Sequence, residues 1–240
     1  MTNIAILDSK LHRSLRVNTQ AMARLGDNQR FVQVIVREFP HLAVHYPILF
    51  SKDSNTGVFY CGAMLGFDTG ENLFLDEGNG QETYRPLNLQ RAPFFIASNE
   101  LAIDMDSPRI DETTGQYLFN QSGEPTPYLE SIVTAFRDLR PGLEQTKLFI
   151  ETLLKLNLIE PIQISAAFDD SEKRDVVGHY TINQDELREL PDAAILDLFR
   201  RGYLQLIYLM IASLKQIPVL AKRKNARLLQ SGQTLSGNLL

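Results

Sequence analysis

The order of apolar runs along the chain is the feature that most limits its fold. Short runs rich in β-branched and aromatic residues come first, and turn-forming segments such as SKDSNTG and DTGE separate them. These connections suit hairpins, which implies antiparallel pairing. Longer runs with helical spacing dominate the second half. This order predicts an α+β fold in which a largely antiparallel sheet packs against a group of C-terminal helices.

Individual elements follow from the same patterns. The predicted strands cover residues 31–36, 47–51, 57–67, 72–76, 93–98, 101–106, 162–168 and 176–182. The predicted helices cover 127–140, 142–157, a short stretch after Asn183, 191–202 and 203–217, with a break at Pro141 and Gly142.

The segment QSGEPTPYLES gives the clearest helix start in the chain. Thr126 is a candidate N-cap, and Pro127 falls at the first helical position, where a missing N–H has no cost. Tyr128 then either packs on the sheet or is displayed with Glu124 at the helix N-terminus. Free amides at that end would favour an anionic or hydroxylated ligand.

The distribution of patterned residues predicts one folded domain with two peripheral ends. Residues 1–30 are polar and weakly patterned, which predicts a poorly ordered or peripheral arm. A single α+β domain is expected over 31–217. Residues 218–240 follow a proline, lack a periodic apolar face and predict a disordered basic and polar tail that folding does not need.

Charge and cysteine content limit the partners and the compartment. The net charge is −5, and residues 1–30 and 215–240 each carry an excess of basic side chains, so the body between them is acidic. An acidic body argues against nucleic acid as the main partner. The single cysteine, Cys61, suits a reducing compartment. The N-terminus lacks the long apolar region of a signal peptide, and the most apolar run, 203–214, is shorter than a transmembrane span. We therefore expect a cytoplasmic protein without a transmembrane span.

Motifs for metal binding and catalysis are incomplete or absent in the sequence. His41 and His45 have the separation of an HExxH motif, but Leu42 replaces the glutamate. The acidic run 104–112 has Arg109 where a calcium loop needs glycine. No GxSxG, GxGxxG or Walker motif occurs in the sequence. The sequence therefore predicts no metal, no cofactor and no catalytic residues, and it favours a non-catalytic protein over an enzyme.

Six segments in order resemble the SapC family of bacterial proteins. They are HYPILF (45–50), GENLFLD (70–76), YRPLNLQRAPFFI (84–96), LFNQSGEPTPYLE (118–130), LNLIEP (156–161) and LQLIYLMIASL (204–214). The similarity runs from about residue 30 to residue 217. The resemblance implies a link with bacterial surface-layer (S-layer) proteins, and family members often have genes near those for outer-membrane nutrient receptors. It supplies no catalytic residues. A peptide-transport permease of the same name is a different protein.

Tyrosines and nearby polar residues are the candidates for ligand contacts. The tyrosines that could line a pocket for a sugar or peptide are Tyr46, Tyr60, Tyr84, Tyr128, Tyr180 and Tyr208. The residues predicted to contact a ligand or partner are Tyr46, Glu71, Asn72, Tyr84, Glu124 and Tyr128.

Two functional hypotheses follow from these observations. The first is a non-catalytic binding or accessory protein, with a protein partner or a small sugar or peptide ligand, that assists surface-layer, outer-membrane receptor or glycan-uptake systems. The alternative is an enzyme, or the accessory subunit of one, that acts on peptide or carbohydrate through a cleft lined by carboxylates and tyrosines.

Overall fold

The computed structural model describes residues 3–75, 83–111, 113–168 and 173–237. About 23% of the chain is strand and 39% is helix, with a C-terminal helix group, so the α+β prediction is confirmed. The sequence predicted one domain over 31–217; by its internal contacts the chain divides into two compact units. Unit 1 comprises the described residues within 1–28, 75–79 and 85–141, and unit 2 those within 29–74, 80–84 and 142–240.

Unit 1 is built from two small antiparallel sheets and the start of a long helix. Its strands are β1 (Ile4–Ile6), β2 (Arg16–Val17), β6 (Phe94–Ala97), β7 (Glu100–Asp104), β8 (Ile110–Asp111) and β9 (Gln116–Tyr117), and its short helix is α2 (Leu87–Gln90). The sheet orders are β1-β7-β6 and β8-β2-β9. The core of this unit is formed by Leu15, Val17, Phe94, Ile103, Leu118, Phe119, Leu129 and Ile132.

The N-terminal segment is an integral part of unit 1, which corrects the prediction of a peripheral arm. β1 pairs with β7, and β2 lies between β8 and β9. Leu15, Val17 and Asp27 are buried. These strands are only two or three residues long, too short for the alternation that reveals a strand in a sequence.

Unit 2 contains a five-stranded antiparallel sheet with the order β10-β11-β4-β5-β3. These strands are β3 (Phe31–Gln33), β4 (Ile48–Lys52), β5 (Phe59–Met64), β10 (Ile159–Ala167) and β11 (Lys173–Ile182). The helices are α1 (Phe39–Leu42), α4 (Gln184–Arg188), α5 (Asp192–Arg200), α6 (Tyr203–Ser213) and α7 (Gln216–Gly237). One core cluster consists of Leu49, Met64, Phe67, Leu73, Ile164, Phe168, Val176 and Leu220.

The predicted strand over 72–76 is wrong in its described part. Leu73 and Phe74 lie in a turn, and the Asn72 side chain accepts a hydrogen bond from the Phe74 amide at 2.9 Å, as in an Asx turn. Leu73 is buried nonetheless. The apolar residues of NLFL therefore fill the core without forming a ladder, while residue 76 lies outside the described residues.

Helix α3 (Pro127–Lys155) begins where the sequence predicted, and Thr126 Oγ1 accepts from the Leu129 amide at 3.4 Å. The predicted break at Pro141 is wrong, because the helix continues through it. The part of α3 after Pro141 belongs to unit 2. A Cβ atom on Gly142 would lie 2.3 Å from Cδ1 of Ile35, so glycine permits this close packing. Thr146 Oγ1 accepts from the Val36 amide at 3.0 Å, and these contacts offset the bond that proline removes.

Helix α7 replaces the predicted disordered tail. Leu220 is buried in the unit 2 core, and Leu228 packs against the same cluster. Lys224 lies between them on the helix face and is only 7% exposed. A lysine at a core-facing position hides the apolar spacing of 220 and 228, which explains why the sequence pattern indicated a tail.

Among the described residues, one helical stretch, Tyr203–Gln230, which includes α6 and most of α7, is long and apolar enough to cross a membrane by length and composition. It covers 28 residues, with a mean hydropathy of 1.5 in its most apolar window, of which 22% is buried. A single such stretch is weak evidence, because the core helix of a soluble protein passes the same test. Within unit 2, Ser213 Oγ accepts from the Ile48 amide at 2.9 Å, and Lys224 is buried in an ion pair.

Candidate functional site

A cavity of about 340 Å³ in unit 1 combines two arginines with a tyrosine. This volume lies at the lower end of the usual range for small-molecule sites. Its polar and charged lining consists of Thr19, Arg85, Gln90, Arg109, Gln116, Tyr128 and Ser131, and its apolar lining of Ala92 and Ile132. Among these described lining residues there is no acid.

Local structure explains why these side chains meet. Arg85 lies just before α2, and Arg109 directly precedes β8. Tyr128, Ser131 and Ile132 lie in the first turns of α3. Residues separated by three or four positions share one helix face, so these three side chains reach the same cavity.

Asp27 holds the two arginines together. Its Oδ1 accepts from Arg85 Nη2 at 2.7 Å, and its Oδ2 accepts from Arg109 Nη2 at 2.5 Å. The Asp27 side chain and the Arg109 side chain are each only 2% exposed, while that of Arg85 is 24% exposed. The carboxylate thus bridges two guanidinium groups in a largely water-free setting, where charge-assisted bonds are strong.

Backbone carbonyls complete the anchoring of both arginines. Arg109 Nη1 donates to Asn18 O at 2.9 Å and to Gln20 O at 3.1 Å. Arg85 Nη1 donates to Thr19 O at 3.2 Å. The segment before Asp27 therefore fixes the position of both guanidinium groups at the cavity.

The cluster has more positive charge than negative charge. Burial lowers the pKa of Arg85, Asp27 raises it again and the nearby Arg109 lowers it; arginine stays protonated in proteins nonetheless. Burial raises the pKa of Tyr128 to about 12, and Arg109 and Arg85 partly oppose that rise. At neutral pH the phenol is therefore uncharged, and among the described residues the charges of Arg85, Arg109 and Asp27 sum to one positive charge.

Both guanidinium groups retain hydrogen-bonding capacity. Each arginine has five N–H donors, and the five hydrogen bonds described above are those that the pair forms within the described residues. The Nε atoms of Arg85 and Arg109 are buried and have no hydrogen-bond partner there. Buried donors without a partner are rare in proteins, so the site is chemically suited to an added acceptor.

Of the six predicted contact residues, Tyr128 is the one that lines this cavity. Its ring also packs against the unit 1 core, 6.2 Å from the Phe94 ring between centroids. Glu124 is exposed, and its carboxylate accepts from Asn120 Nδ2 and from Ser122 Oγ, each at 3.1 Å. Tyr128 therefore combines packing with access to a cavity, while Glu124 stabilises the turn before the helix.

Tyr46 and Tyr84 meet in unit 2. The buried Tyr46 donates from its hydroxyl to Tyr84 O at 2.8 Å, and Tyr84 donates to Glu38 Oε1 at 3.2 Å. The His41 ring stacks on Tyr84 with centroids 5.1 Å apart. These contacts join α1 to the segment around residue 84 and satisfy the tyrosine hydroxyls internally.

Glu71 and Asn72 also make internal contacts in unit 2. Glu71 Oε2 accepts from the amides of Phe67 and Asp68 at 2.9 and 3.3 Å, and its Oε1 pairs with Lys224. The backbone carbonyl of Asn72 accepts from Arg227 Nη1 at 3.1 Å. The Glu71 carboxylate and the Asn72 backbone carbonyl thus bind side chains of α7, a role that the sequence did not indicate.

The remaining candidates from the sequence are the possible metal ligands and the Cys61 thiol. Among the described residues no group of three or more His, Cys, Asp or Glu side chains could hold a metal ion; Glu112, from the acidic run, lies outside them. Cys61 is fully buried, and burial raises the pKa of its thiol, so the thiol stays protonated at neutral pH.

A larger cavity, of about 570 Å³, lies in unit 2 between α3 and the sheet. Asp53 lines it, but its Oδ1 accepts from the Asn55 and Thr56 amides at 3.0 and 2.8 Å. Thr146 bonds to Gly142 O and to the Val36 amide. These two polar groups already form internal hydrogen bonds, so this cavity is a weaker candidate ligand site than the one beside Arg85 and Arg109.

Sequence reasoning missed the three charged residues that define the unit 1 site. Asp27 fell in the presumed arm, and Arg109 was considered only as a departure from a calcium loop. Arg85 belongs to the resemblance segment YRPLNLQRAPFFI, which pointed near the site, as did the helix start that contains Tyr128.

Fold and site together define an α+β protein with an arginine-rich pocket. The chain belongs to the SapC family, whose family model matches residues 7–220. The match begins well before residue 30 and includes β2, while β1 lies just before its first residue. No curated protein and no solved structure matches the sequence.

Proposed function

We propose that this SapC-family chain is a non-catalytic binding protein that holds a small anion in the unit 1 cavity. The observation that carries the proposal is the pair of anchored guanidinium groups, Arg85 and Arg109, that share the single carboxylate of Asp27. Their surplus positive charge and remaining donors favour an anionic ligand. The cavity volume favours a small one.

An accessory role belongs to the same proposal. The family resemblance supports assistance to surface-layer, outer-membrane receptor or glycan-uptake systems, and a ligand-binding protein could serve any of them. A cytoplasmic location, the absence of a transmembrane span and the absence of a nucleic-acid partner remain expectations from the single cysteine, the apolar pattern and the acidic body.

The enzyme alternative has less support from this cavity. It requires carboxylates that line a cleft, whereas the charged groups of the lining are arginines and Asp27 is engaged by both of them. Turnover of peptides or carbohydrates by the purified chain would revive that alternative.

The proposal is tested by thermal unfolding with a panel of small anions at constant ionic strength. A ligand that binds the folded state and not the unfolded state raises the midpoint temperature, and above its Kd the increase grows with the logarithm of its concentration. We expect anions to raise it for the wild type and not for Arg85→Met, which keeps an unbranched apolar stem but removes the charge.

Arg91→Met is the matched control. Arg91 is also a half-buried arginine of unit 1 and donates to Phe94 O at 2.8 Å, but it does not line the cavity. Equal anion responses in the two variants, or no response in the wild type, would contradict the proposed function.

A further inference from the structure

We infer that the ligand of the unit 1 cavity is a small organic acid that carries one carboxylate on a short apolar or hydroxylated body. The inference rests on the proposed function and names its ligand class. It commits to a free small molecule, with inorganic anions and the C-terminus of a polypeptide as the alternatives that the test separates.

Charge balance favours a monoanion. Arg85 and Arg109 contribute two positive charges, and Asp27 contributes one negative charge. A single carboxylate would neutralise this buried group. A dianion such as hydrogen phosphate would leave one uncompensated negative charge beside the buried Asp27 side chain, and uncompensated charge is costly next to a buried ion.

The lining favours an organic body behind the carboxylate. Ala92 and Ile132 supply apolar surface, and the Tyr128 ring adds an aromatic face. Gln116 is a polar lining residue suited to a hydroxyl group, and the Ser131 hydroxyl, which donates to Tyr128 O at 2.7 Å, keeps its capacity to accept a hydrogen bond from one. An inorganic anion would contact the guanidinium groups alone and leave this second surface unused.

Size limits the ligand to a small molecule. The cavity has a volume of about 340 Å³, and sites of about 300 Å³ are at the small end of those that enclose organic ligands. A polypeptide terminus would place several residues outside such a cavity.

Calorimetric titration of the full chain with matched probes tests the inference. The probes are propionate, lactate and benzoate, the corresponding amides, sodium phosphate and sodium sulfate, and a tetrapeptide with a free or an amidated C-terminus. We expect at least one carboxylate to bind about tenfold or more tightly than its amide, a difference typical of a lost charge-assisted bond. Phosphate and sulfate should bind more weakly than that carboxylate.

Two variants locate the binding. Arg85→Met should abolish the preference for acid over amide, and Tyr128→Phe should weaken carboxylate binding several-fold while the circular dichroism spectrum and melting temperature stay close to those of the wild type. The Arg91→Met protein should retain the wild-type preference.

The alternative outcomes have different meanings. Phosphate or sulfate binding more tightly than every carboxylate would overturn the organic-acid inference and leave the anion-binding function standing. A tetrapeptide acid that binds more tightly than every small acid would overturn the small-molecule claim. If no probe binds and no anion raises the melting temperature, the inference and the proposed function both fail.

Discussion

The two units of the chain each bury an ionic cluster, and the clusters differ in their balance of charge. In unit 1, two arginines share one aspartate. In unit 2, one lysine, Lys224, is shared by Asp68 and Glu71. The first cluster has a surplus of positive charge at a cavity, while the second places Lys224 between two carboxylates.

The unit 2 cluster holds helix α7 against the turn at residues 67–74. Lys224 Nζ donates to Asp68 Oδ2 at 2.7 Å and to Glu71 Oε1, and the neighbouring Arg227 donates to Asn72 O. Burial alone would lower the pKa of Lys224, but its bonds to Asp68 and Glu71 and their charges together raise it. All of these contacts join α7 to the turn at residues 67–74.

The comparison of the two clusters shows that similar ion pairs can belong either to a candidate binding site or to a structural contact. A cation with two carboxylates has little affinity left for a ligand. Two guanidinium groups with one carboxylate keep both charge and donors. The ratio of cations to acids, together with an adjoining cavity, therefore separates a candidate binding site from a structural contact.

The largest effect on the free energy of unfolding is expected from deleting the part of α7 that contains Lys224. Truncation after Ile217 deletes the buried Leu220 and Lys224 and should lower the free energy of unfolding by at least about 4 kcal/mol. Urea denaturation followed by far-ultraviolet circular dichroism measures it, since the chain has no tryptophan. A truncation after Gln230 keeps both residues and should cost much less. An unchanged stability after Ile217 would restore the disordered-tail prediction.

Asp27→Asn should have the next largest effect, because it leaves two guanidinium groups without their counter-charge. We expect a loss of about 3–5 kcal/mol in the free energy of unfolding, the usual range when one partner of a buried pair is removed. The double variant Asp27→Asn, Arg109→Gln should lose less than the sum of the two single variants. Additive losses in that cycle would mean that the two side chains are not energetically coupled.

Lys224→Met should cost about 2 kcal/mol, less than Asp27→Asn, because the Asp68 side chain is 39% exposed and can be solvated. The exposed Lys222 on the same helix provides the control, and Lys222→Met should change stability by no more than about 0.5 kcal/mol. Similar losses in both variants would indicate a general charge effect instead of a specific pair.

The pH dependence of the stabilisation by Lys224 gives a second test of its ion pair. Its pKa is raised in the folded state above the ordinary value of 10.5. Its stabilising contribution is therefore complete below about pH 10.5 and is lost as the pH rises through the folded-state pKa. Alkaline denaturation should be shallower in Lys224→Met than in the wild type over that range, and identical profiles would contradict the assignment.

The smallest effect is expected at Glu124. Its carboxylate is exposed and, within the described ranges, accepts hydrogen bonds from Asn120 and Ser122 in the turn before α3. Hydrogen bonds from those two side chains lower its pKa, but the group is well solvated. Glu124→Gln should leave melting temperature and anion binding unchanged within error, and a clear loss of binding would show that the turn contributes to the site.

The larger elements were predictable from the sequence because each has a strong local signal. Thr126 and Pro127 mark the start of α3, and Asn183 caps α4 by accepting from the Asp185 and Glu186 amides. The central strands β4 and β5 have dense apolar runs. Such signals act over a few residues and survive in any tertiary context.

The parts that sequence reasoning missed depend on distant contacts. β2 has two residues and forms only because β8 and β9 flank it. The continuity of α3 at Pro141 depends on its packing against Ile35. Lys224 looks like a surface residue until Asp68 and Glu71 are known to surround it.

The candidate site was the least predictable part for the same reason. Asp27 and Arg109 are separated by 82 positions, and neither stands in a recognisable motif. Tyr128 was identified because it belongs to a strongly patterned helix start. A bridged charge cluster has no local periodicity, so only the folded arrangement reveals it.

The interleaved composition of the two units has a consequence for the newly made chain. During synthesis β1 and β2 emerge early, but their partners around Asp104 and Asp111 are made much later, after several strands of unit 2. Until then these segments have unpaired backbone groups, a condition that favours association with other chains. All the residues of the arginine pocket have left the ribosome well before Lys224 is added. Unit 1 can therefore close around its cavity while unit 2 still awaits its last helix.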